Sequence, residues 1–354
     1  MNQNNIVVKL IEPIIIGVIG GYVFSILDLP LPWVLGALTF ILLWQGFTKR
    51  KVYWPESVKN IGLTILGIYF GLYFTKETFM TMGPYFAPFV IVTIILIFAS
   101  ILLGMVVTKW INVDKITSTF ASIPGGLTEM VIASESLNAK ASLVVIFQTV
   151  RLLTVLFTVP ALIIFSFSAT GTASGDSFLN QPFIFEGWKY LWFIIPAVIG
   201  VSLKDKLPAG IVIIPLVITA LMNVSPAELA TVPPALLIAG QVSVGIGLGM
   251  KISFEELKLG GKYCGIYAVI TFTLILLSFG LGFILAQMTS LNLATAMLSV
   301  APGGLIEMVL TASIVGGDPA IVSALQLTRL FLIILFVPPI LKWYFRKTEL
   351  QHAA

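Results

Sequence analysis

Two copies of a Pro-Gly-Gly motif, each followed by an acidic residue, hold the residues best suited to binding chemistry. Proline removes a backbone donor, and glycine lets a ligand approach the backbone closely. A helix that starts after such a break points its positive end at the break and can hold an anionic group. The alternative is a tight turn without a ligand. The predicted substrate-binding residues of the motifs are Pro124, Gly125, Gly126, Thr128, Pro302, Gly303 and Gly304.

Each motif carries one glutamate, Glu129 or Glu307, within apolar sequence. A carboxylate in such sequence is costly, and it often marks a proton relay or an ion site. We therefore predict that the two glutamates couple transport to a proton or a cation. A structural ion pair, or a hydrogen bond to free backbone amides beside the glycines, is the alternative for both.

A glutamine and an arginine follow each motif in the next apolar stretch. The pairs are Gln148 with Arg151 and Gln326 with Arg329, and the spacing of three places both side chains on one helical face. A guanidinium near the middle of a membrane must be paired. Its partner could be a substrate carboxylate, or a glutamate in a bridge that locks the protein together. We predict that all four side chains contribute to substrate binding, and the internal bridge remains open.

The two sets of motifs belong to an internal duplication. Pro124 and Pro302 lie 178 residues apart, and the same shift without gaps pairs the two glutamines, the two arginines and, further upstream, Gly62 with Gly240. A constant offset over such a span indicates duplication of a whole half-chain.

Composition assigns the chain to the membrane. Of its 354 residues, 58% are apolar and 10% are charged, against about 25% charged in soluble domains. Mean hydropathy is +1.04. The net charge of +4 comes from basic residues at the ends of apolar stretches, so we expect no nucleic-acid partner. One cysteine and one histidine offer no metal-ligand set. We expect no cofactor, no metal site and no enzymatic activity.

The apolar stretches and basic loops predict an all-α fold with inverted repeats. Each half has six stretches, and the fifth of each, 117–138 or 293–315, contains Pro-Gly-Gly. If that stretch is re-entrant or broken, all the basic loops and both termini face the cytoplasm, as the positive-inside rule requires. Five crossings per half then invert the second half. The predicted division is a first repeat at 1–167, an extracytoplasmic linker at 168–186, a second repeat at 187–346 and a cytoplasmic tail at 347–354.

The duplicated P-G-G-x-x-E-M motifs, each followed by Q-x-x-R, resemble the bacterial AbrB membrane-protein family over nearly the whole chain. The resemblance implies a duplicated domain akin to the cation/proton antiporter and anion transporter superfamily, with crossed interrupted helices. Members of the family are often labelled ammonia monooxygenases. Copper or iron chemistry needs imidazole, thiolate or clustered carboxylate ligands, and this sequence does not supply them.

Together these features predict an alternating-access secondary transporter in the bacterial plasma membrane. Its expected solute is a small organic anion or zwitterion, coupled to protons or to a cation such as Na⁺, and a homodimer is possible for such folds. An electroneutral cation/proton exchanger and a non-transporting sensor with an indirect effect on gene expression are the alternatives. The direction of transport stays open.

Overall fold

The described part of the chain is helical throughout. The computed structural model describes residues 3–137, 139–168, 186–225 and 229–353, and these residues hold no strand. The helices of the first half are α1 Gln3–Ile26, α2 Pro32–Thr48, α3 Glu56–Gly71, α4 Lys76–Thr81, α5 Gly83–Val107, α6 Lys115–Ser122, α7 Leu127–Glu135 and α8 Ala141–Ser168. Those of the second half are α9 Ile194–Leu203, α10 Gly210–Val224, α11 Pro234–Gly249, α12 Phe254–Gly260, α13 Lys262–Met288, α14 Leu293–Val300, α15 Leu305–Ile314 and α16 Pro319–Ala353. The predicted all-α class is confirmed.

Five helices are long and apolar enough to cross a membrane. They are Lys9–Ile26, Gly83–Val107, Ala141–Phe167, Lys262–Met288 and Pro319–Phe345. At about 1.5 Å per residue, each comes close to or exceeds the roughly 30 Å of a hydrocarbon core. Shorter apolar helices of 10–17 residues accompany them. These helices support a multi-pass membrane protein.

The predicted stretches at 117–138 and 293–315 are each two helices in the structure. The first is α6 followed by α7, and the second is α14 followed by α15. Pro-Gly-Gly occupies both breaks. Two short helices, α4 and α12, lie where the hydrophobic pattern predicted loops, and α16 continues through 347–353, which we had expected to form a separate tail. Of the predicted linker, residues 169–185 lie outside the described part of the chain.

The chain forms two compact units, and each unit combines equivalent segments of both sequence halves. The first unit comprises residues 1–83, 163–253 and 309–320, and the second comprises 84–162, 254–308 and 321–354. The shift of 178 carries the first segment of each unit largely onto its second segment. The compact units therefore cut across the two sequence repeats rather than coinciding with them.

In the first unit, helix contacts are reciprocal under the same shift. A Cβ on Gly67 in α3 would collide with the carbonyl of Val212 in α10, and a Cβ on Gly245 in α11 would collide with the carbonyl of Val34 in α2. Adding 178 to Gly67 and to Val34 gives the other pair. Such reciprocity is the property of a two-fold relationship, and only glycine allows backbones to approach this closely.

In the second unit, both broken helices start with the same side-chain cap. Asp114 Oδ1 accepts the Thr117 N–H at 2.7 Å at the start of α6, and Asn292 Oδ1 accepts the Thr295 N–H at 2.7 Å at the start of α14. Thr117 Oγ1 also accepts the Lys140 N–H at 2.9 Å. That bond ties the start of α8 to α6 and fixes the helix that carries Gln148 and Arg151.

Candidate functional site

The break between α6 and α7 exposes backbone carbonyls that no helix can satisfy. Helix α6 ends at Ser122, Ile123 is extended at φ −73° and ψ 129°, and α7 begins after Gly126. Pro124 has no N–H to donate and cannot continue the ladder. The last carbonyls of any helix lack intrahelical partners. Those at the end of α6 must therefore find side-chain donors, because lipid supplies none.

Gln148 of α8 supplies the first of these donors. Its Nε2 donates to the carbonyl of Phe120 at 2.6 Å and to that of Ile123 at 3.2 Å. The side chain is fully buried, at 0% exposure. Both amide protons of Gln148 are therefore used to close the end of α6.

Arg151, one turn further along α8, supplies the rest. Its Nη1 donates to the carbonyl of Ile123, and its Nη2 donates to the carbonyl of Gly125 at 3.3 Å. Only 9% of the residue is exposed. A cation at the C-terminal end of a helix is also favoured by the helix dipole. Arg151 thus holds the non-helical backbone of the break in place.

The second motif repeats this arrangement. Gln326 Nε2 donates to the carbonyls of Leu298 at 2.6 Å and Ala301 at 3.3 Å. Arg329 donates to the carbonyls of Ala301 and of Gly303, the latter at 2.7 Å. Each of these acceptors lies 178 residues after its counterpart in the first motif. The structure therefore brings together the predicted glutamine, arginine and glycine residues within each motif.

The two motifs differ in one bond. Arg329 Nη2 also donates to Gln326 Oε1. Among the described residues, Gln148 Oε1 and Arg151 Nε are buried and have no hydrogen-bond partner. The second motif is closed on itself, whereas the first retains one unused acceptor and one unused donor.

The arginines bind backbone carbonyls in place of the carboxylates considered from the sequence. The ion pairs within the described part of the chain join lysines to glutamates, and neither Arg151 nor Arg329 takes part in one. The charge of Arg151 instead acts repulsively on Arg329 within the same unit. The predicted glutamate–arginine bridge is therefore not a contact that these two guanidinium groups make.

Glu129 and Glu307 occupy the same position at the start of their helices. Each is the third residue of its helix, α7 or α15, and a Cβ on the glycine before the helix, Gly126 or Gly304, would collide with its carboxylate. A carboxylate at this position is stabilised by the amides of the first turn and by the helix dipole. Glu307 is buried and Glu129 is partly buried. Both carboxylates fold back onto the break.

The remaining predicted residues have simpler environments. Pro124 and Pro302 are buried. A Cβ on Gly125 would lie 2.9 Å from the side chains of Ile333 and Met130, so this glycine is required by packing. The side chain of Thr128 lies outside the described residues. Within the described part of the chain, no group of three or more His, Cys, Asp and Glu side chains could hold a metal ion.

Sequence reasoning missed a polar contact beside the first break. Tyr267 of α13 donates to Ser118 Oγ at 2.7 Å, and Ser118 donates to the carbonyl of Gly104 at 2.5 Å. The Tyr267 ring stacks on Phe147 with centroids 3.9 Å apart. The shift of 178 pairs Tyr267 with Phe89, so a departure from the repeat was the available signal. This hydroxyl chain fixes α6 against α5 and α13.

Comparison with known proteins gives a family and two relatives. The family described as "Transition state regulatory protein AbrB" matches residues 33–345. A Bacillus subtilis (strain 168) protein named "Uncharacterized protein YhjN" is 24% identical over 348 residues, which cover 92% of this chain and 90% of that protein. An Escherichia coli (strain K12) protein named "Putative regulator AbrB" is 24% identical over 329 residues, which cover 90% of this chain and 92% of that protein. These matches extend over most of each chain.

Proposed function

The chain belongs to the AbrB family, and from that premise we propose that it is an alternating-access secondary transporter of a small organic anion or zwitterion, coupled to a proton or a cation. One observation carries the proposal. Two broken helices, related by a shift of 178 residues, keep their breaks ordered through buried glutamine and arginine side chains. Broken helices of this kind form the binding sites of many secondary transporters.

The chemistry of the breaks supports a water-lined site. Non-helical backbone at membrane depth is tolerated only where it is buried in protein or lines an aqueous cavity. The end of α6 needs two side chains, Gln148 and Arg151, to satisfy its carbonyls. That costly arrangement occurs in both repeats, and a simple packing turn would not need it. A binding role for the breaks explains why both copies contain them.

We propose that the two repeats are inverted relative to each other in the plasma membrane, with both termini in the cytoplasm. The reciprocal contacts of Gly67 with Val212 and of Gly245 with Val34 support a two-fold relationship between the halves. The basic residues at the ends of the helices support the orientation. An odd number of crossings in each half would place the two-fold axis in the membrane plane.

An anionic group is the ligand that the charges favour. Arg151 and Arg329 share one unit, repel each other and take part in no described ion pair with a carboxylate. An anion between or beside them would relieve that repulsion. Arg151 Nε is a free donor, and Gln148 Oε1 is a free acceptor. A zwitterion could use both, because its carboxylate accepts and its ammonium donates.

Glu129 and Glu307 are the proposed coupling groups. Each motif holds one carboxylate and one guanidinium, so protonation of the carboxylate leaves the motif with a net positive charge. A bound anion then becomes more stable, which links proton binding to anion binding by electrostatics alone. In this scheme the arginines keep their charge throughout and the glutamates change theirs.

Electroneutral cation/proton exchange is the second candidate. It is favoured by the finding that the guanidinium groups already donate to backbone carbonyls, which leaves fewer donors for a solute. The glutamates would then bind the cation and the proton in turn. The two candidates differ in whether the arginines contact the solute.

Uptake into proteoliposomes separates the candidates. Purified protein is tested with a panel of labelled small organic anions, amino acids and monovalent cations, with and without a pH gradient. We expect uptake of an anion or zwitterion, its loss in Arg151→Gln, and its retention in Lys140→Gln, which removes a cation at the exposed start of α8. Cation uptake that survives Arg151→Gln would support exchange. No uptake of any solute would contradict transport of these classes.

A further inference from the structure

A cavity of about 420 Å³ lies at the start of α1 in the first unit. It is lined by Lys9, Glu12, Pro13, Arg50, Lys51, Val52 and Tyr53. The volume falls within the range of small-molecule sites, roughly 300–1,000 Å³. The lining combines α1 with the segment that joins α2 to α3, so residues distant in sequence converge on one space.

The cavity has an excess of positive charge. Three of its lining residues, Lys9, Arg50 and Lys51, are cationic, and none of them takes part in an ion pair in the described part of the chain. Its carboxylate, Glu12, instead accepts the indole N–H of Trp44 at 2.8 Å. The three cations therefore lack a counter-charge from the protein.

The segment that presents Arg50 and Lys51 is fixed by hydrogen bonds. Gln45 Oε1 accepts the Val52 N–H at 3.1 Å, while Gln45 Nε2 donates to the carbonyl of Gly249 at 3.2 Å. Lys49 adopts the left-handed conformation with φ 55°, which ends α2 and turns the chain towards α1. The geometry of the cations is thus built by the fold, and they do not lie on a free loop.

The cavity sits at one end of a membrane-spanning helix beside exposed apolar surface. Lys9 is the first residue of the apolar span Lys9–Ile26. Beyond it, Ile11, Ile15, Ile19 and Tyr22 follow at helical spacing along one face of α1 and are 47%, 52%, 49% and 60% exposed. A charged cavity joined to an apolar strip matches a molecule with an anionic head and hydrocarbon chains.

We propose that this cavity binds the phosphate headgroup of an anionic phospholipid, with the acyl chains lying along the exposed face of α1. Basic pockets at the cytoplasmic ends of membrane helices recognise such headgroups. Three unpaired cations suit a phosphodiester, and the strip on α1 supplies the contact that a free phosphate would not use.

The site belongs to one repeat only. Under the shift of 178, Lys9, Arg50 and Lys51 correspond to Gly187, Glu228 and Leu229. The second repeat therefore lacks all three cations. A lipid site in one repeat alone selects one leaflet, and the proposed orientation makes this the cytoplasmic leaflet, where anionic lipids carry the surface charge.

Native mass spectrometry and thermal unfolding of the full-length protein test the proposal. The probes are phosphatidylglycerol and phosphatidylcholine added to delipidated protein in detergent. We expect phosphatidylglycerol to bind and to raise the unfolding midpoint, with little effect of phosphatidylcholine. Arg50→Gln/Lys51→Gln should weaken phosphatidylglycerol binding roughly 30-fold, because each basic residue at a membrane surface contributes roughly fivefold. Lys204→Gln/Lys206→Gln removes the same charge from the second repeat and should leave binding unchanged.

Each other outcome would overturn the proposal. Equal weakening by both double variants would mean diffuse attraction without a site. Equal stabilisation by soluble glycerol phosphate would identify the ligand as free phosphate. A lipid-independent dimer through the face of α1, abolished by Ile15→Ser, would assign that face to a second copy of the chain.

Discussion

Arg329 donates a hydrogen bond to the side-chain oxygen of Gln326, one turn earlier on the same helix. Between them the two residues bind the carbonyls of Leu298, Ala301 and Gly303 at the break after α14. A charged donor makes such bonds stronger than neutral ones. The break after α14 is thus held by a connected network, whereas the break after α6 is held by two side chains that act separately.

Replacement of each glutamine by leucine measures this difference. Gln148→Leu deprives the carbonyl of Phe120 of its side-chain donor, and a buried unsatisfied carbonyl costs about 1–3 kcal/mol. Gln326→Leu does the same to the carbonyl of Leu298 and also removes an acceptor from Arg329. We expect both to lower the unfolding midpoint in detergent, and Gln326→Leu to lower it more.

Gln241→Leu is the control for these two variants. Gln241 lies in α11 and forms no hydrogen bond among the described residues, so its replacement should be neutral or stabilising. Equal midpoints for Gln148→Leu and Gln326→Leu would contradict the inequality of the two breaks.

Gly126→Ala tests the position of the Glu129 carboxylate. The added Cβ would collide with that carboxylate, although the backbone of Gly126, at φ −61° and ψ 131°, accepts any residue. We expect a folded protein whose solute-coupled proton movement falls roughly tenfold to a hundredfold, as when functional groups are displaced by about 1 Å. Gly280→Ala is the control, because nothing lies within 4 Å of its Cβ. Retained coupling in Gly126→Ala would show that the carboxylate position is unimportant.

Cysteine labelling tests the inverted arrangement. In a Cys264→Ser background, Asn112→Cys and Ser290→Cys place single thiols in exposed positions after α5 and α13. These positions correspond under the shift of 178, so inverted repeats place them on opposite sides of the membrane. We expect an impermeant reagent to label Asn112→Cys from the cytoplasmic side and Ser290→Cys from outside. Labelling of both thiols from one side would contradict the inversion.

Glu186 gives the fold a local dependence on pH. The Thr231 N–H, 3.0 Å away, holds the pKa of this carboxyl below its ordinary value, with a smaller effect from Lys189. Stabilisation from a lowered pKa is complete above the ordinary value and is lost as the pH falls through the lowered one. Glu186→Gln should therefore reduce the drop in unfolding midpoint between pH 7 and about pH 3, and Glu77→Gln should not. An unchanged drop would remove Glu186 from the account.

The helices and their breaks could be predicted because each rests on a local pattern. Apolar runs gave the positions of the long helices, and Pro124 with Gly125 and Gly126 gave the break between α6 and α7. The short helices α4 and α12 were missed, because six or seven mixed residues carry no usable periodicity. The interleaving of the repeats in two units depends on contacts between distant segments, such as Gly67 with Val212.

The partners of the arginines could not be read from the sequence. Burial required a partner for Arg151, and carboxylates were the partners that the sequence displayed. Backbone carbonyls are present at every residue and leave no compositional signal, so the role of Ile123 and Gly125 as acceptors emerged only from the structure. The orphan carbonyls expected at the end of any helix were the physical clue.

Solute-driven proton movement tests the central claim most directly. Proteoliposomes with an internal pH dye receive a solute that the protein takes up, and wild type is compared with Glu129→Gln and with Glu135→Gln, an exposed carboxylate on the same helix. The account predicts a pH change with wild type and with Glu135→Gln, and its loss with Glu129→Gln. Solute uptake accompanied by the same pH change in Glu129→Gln would contradict it.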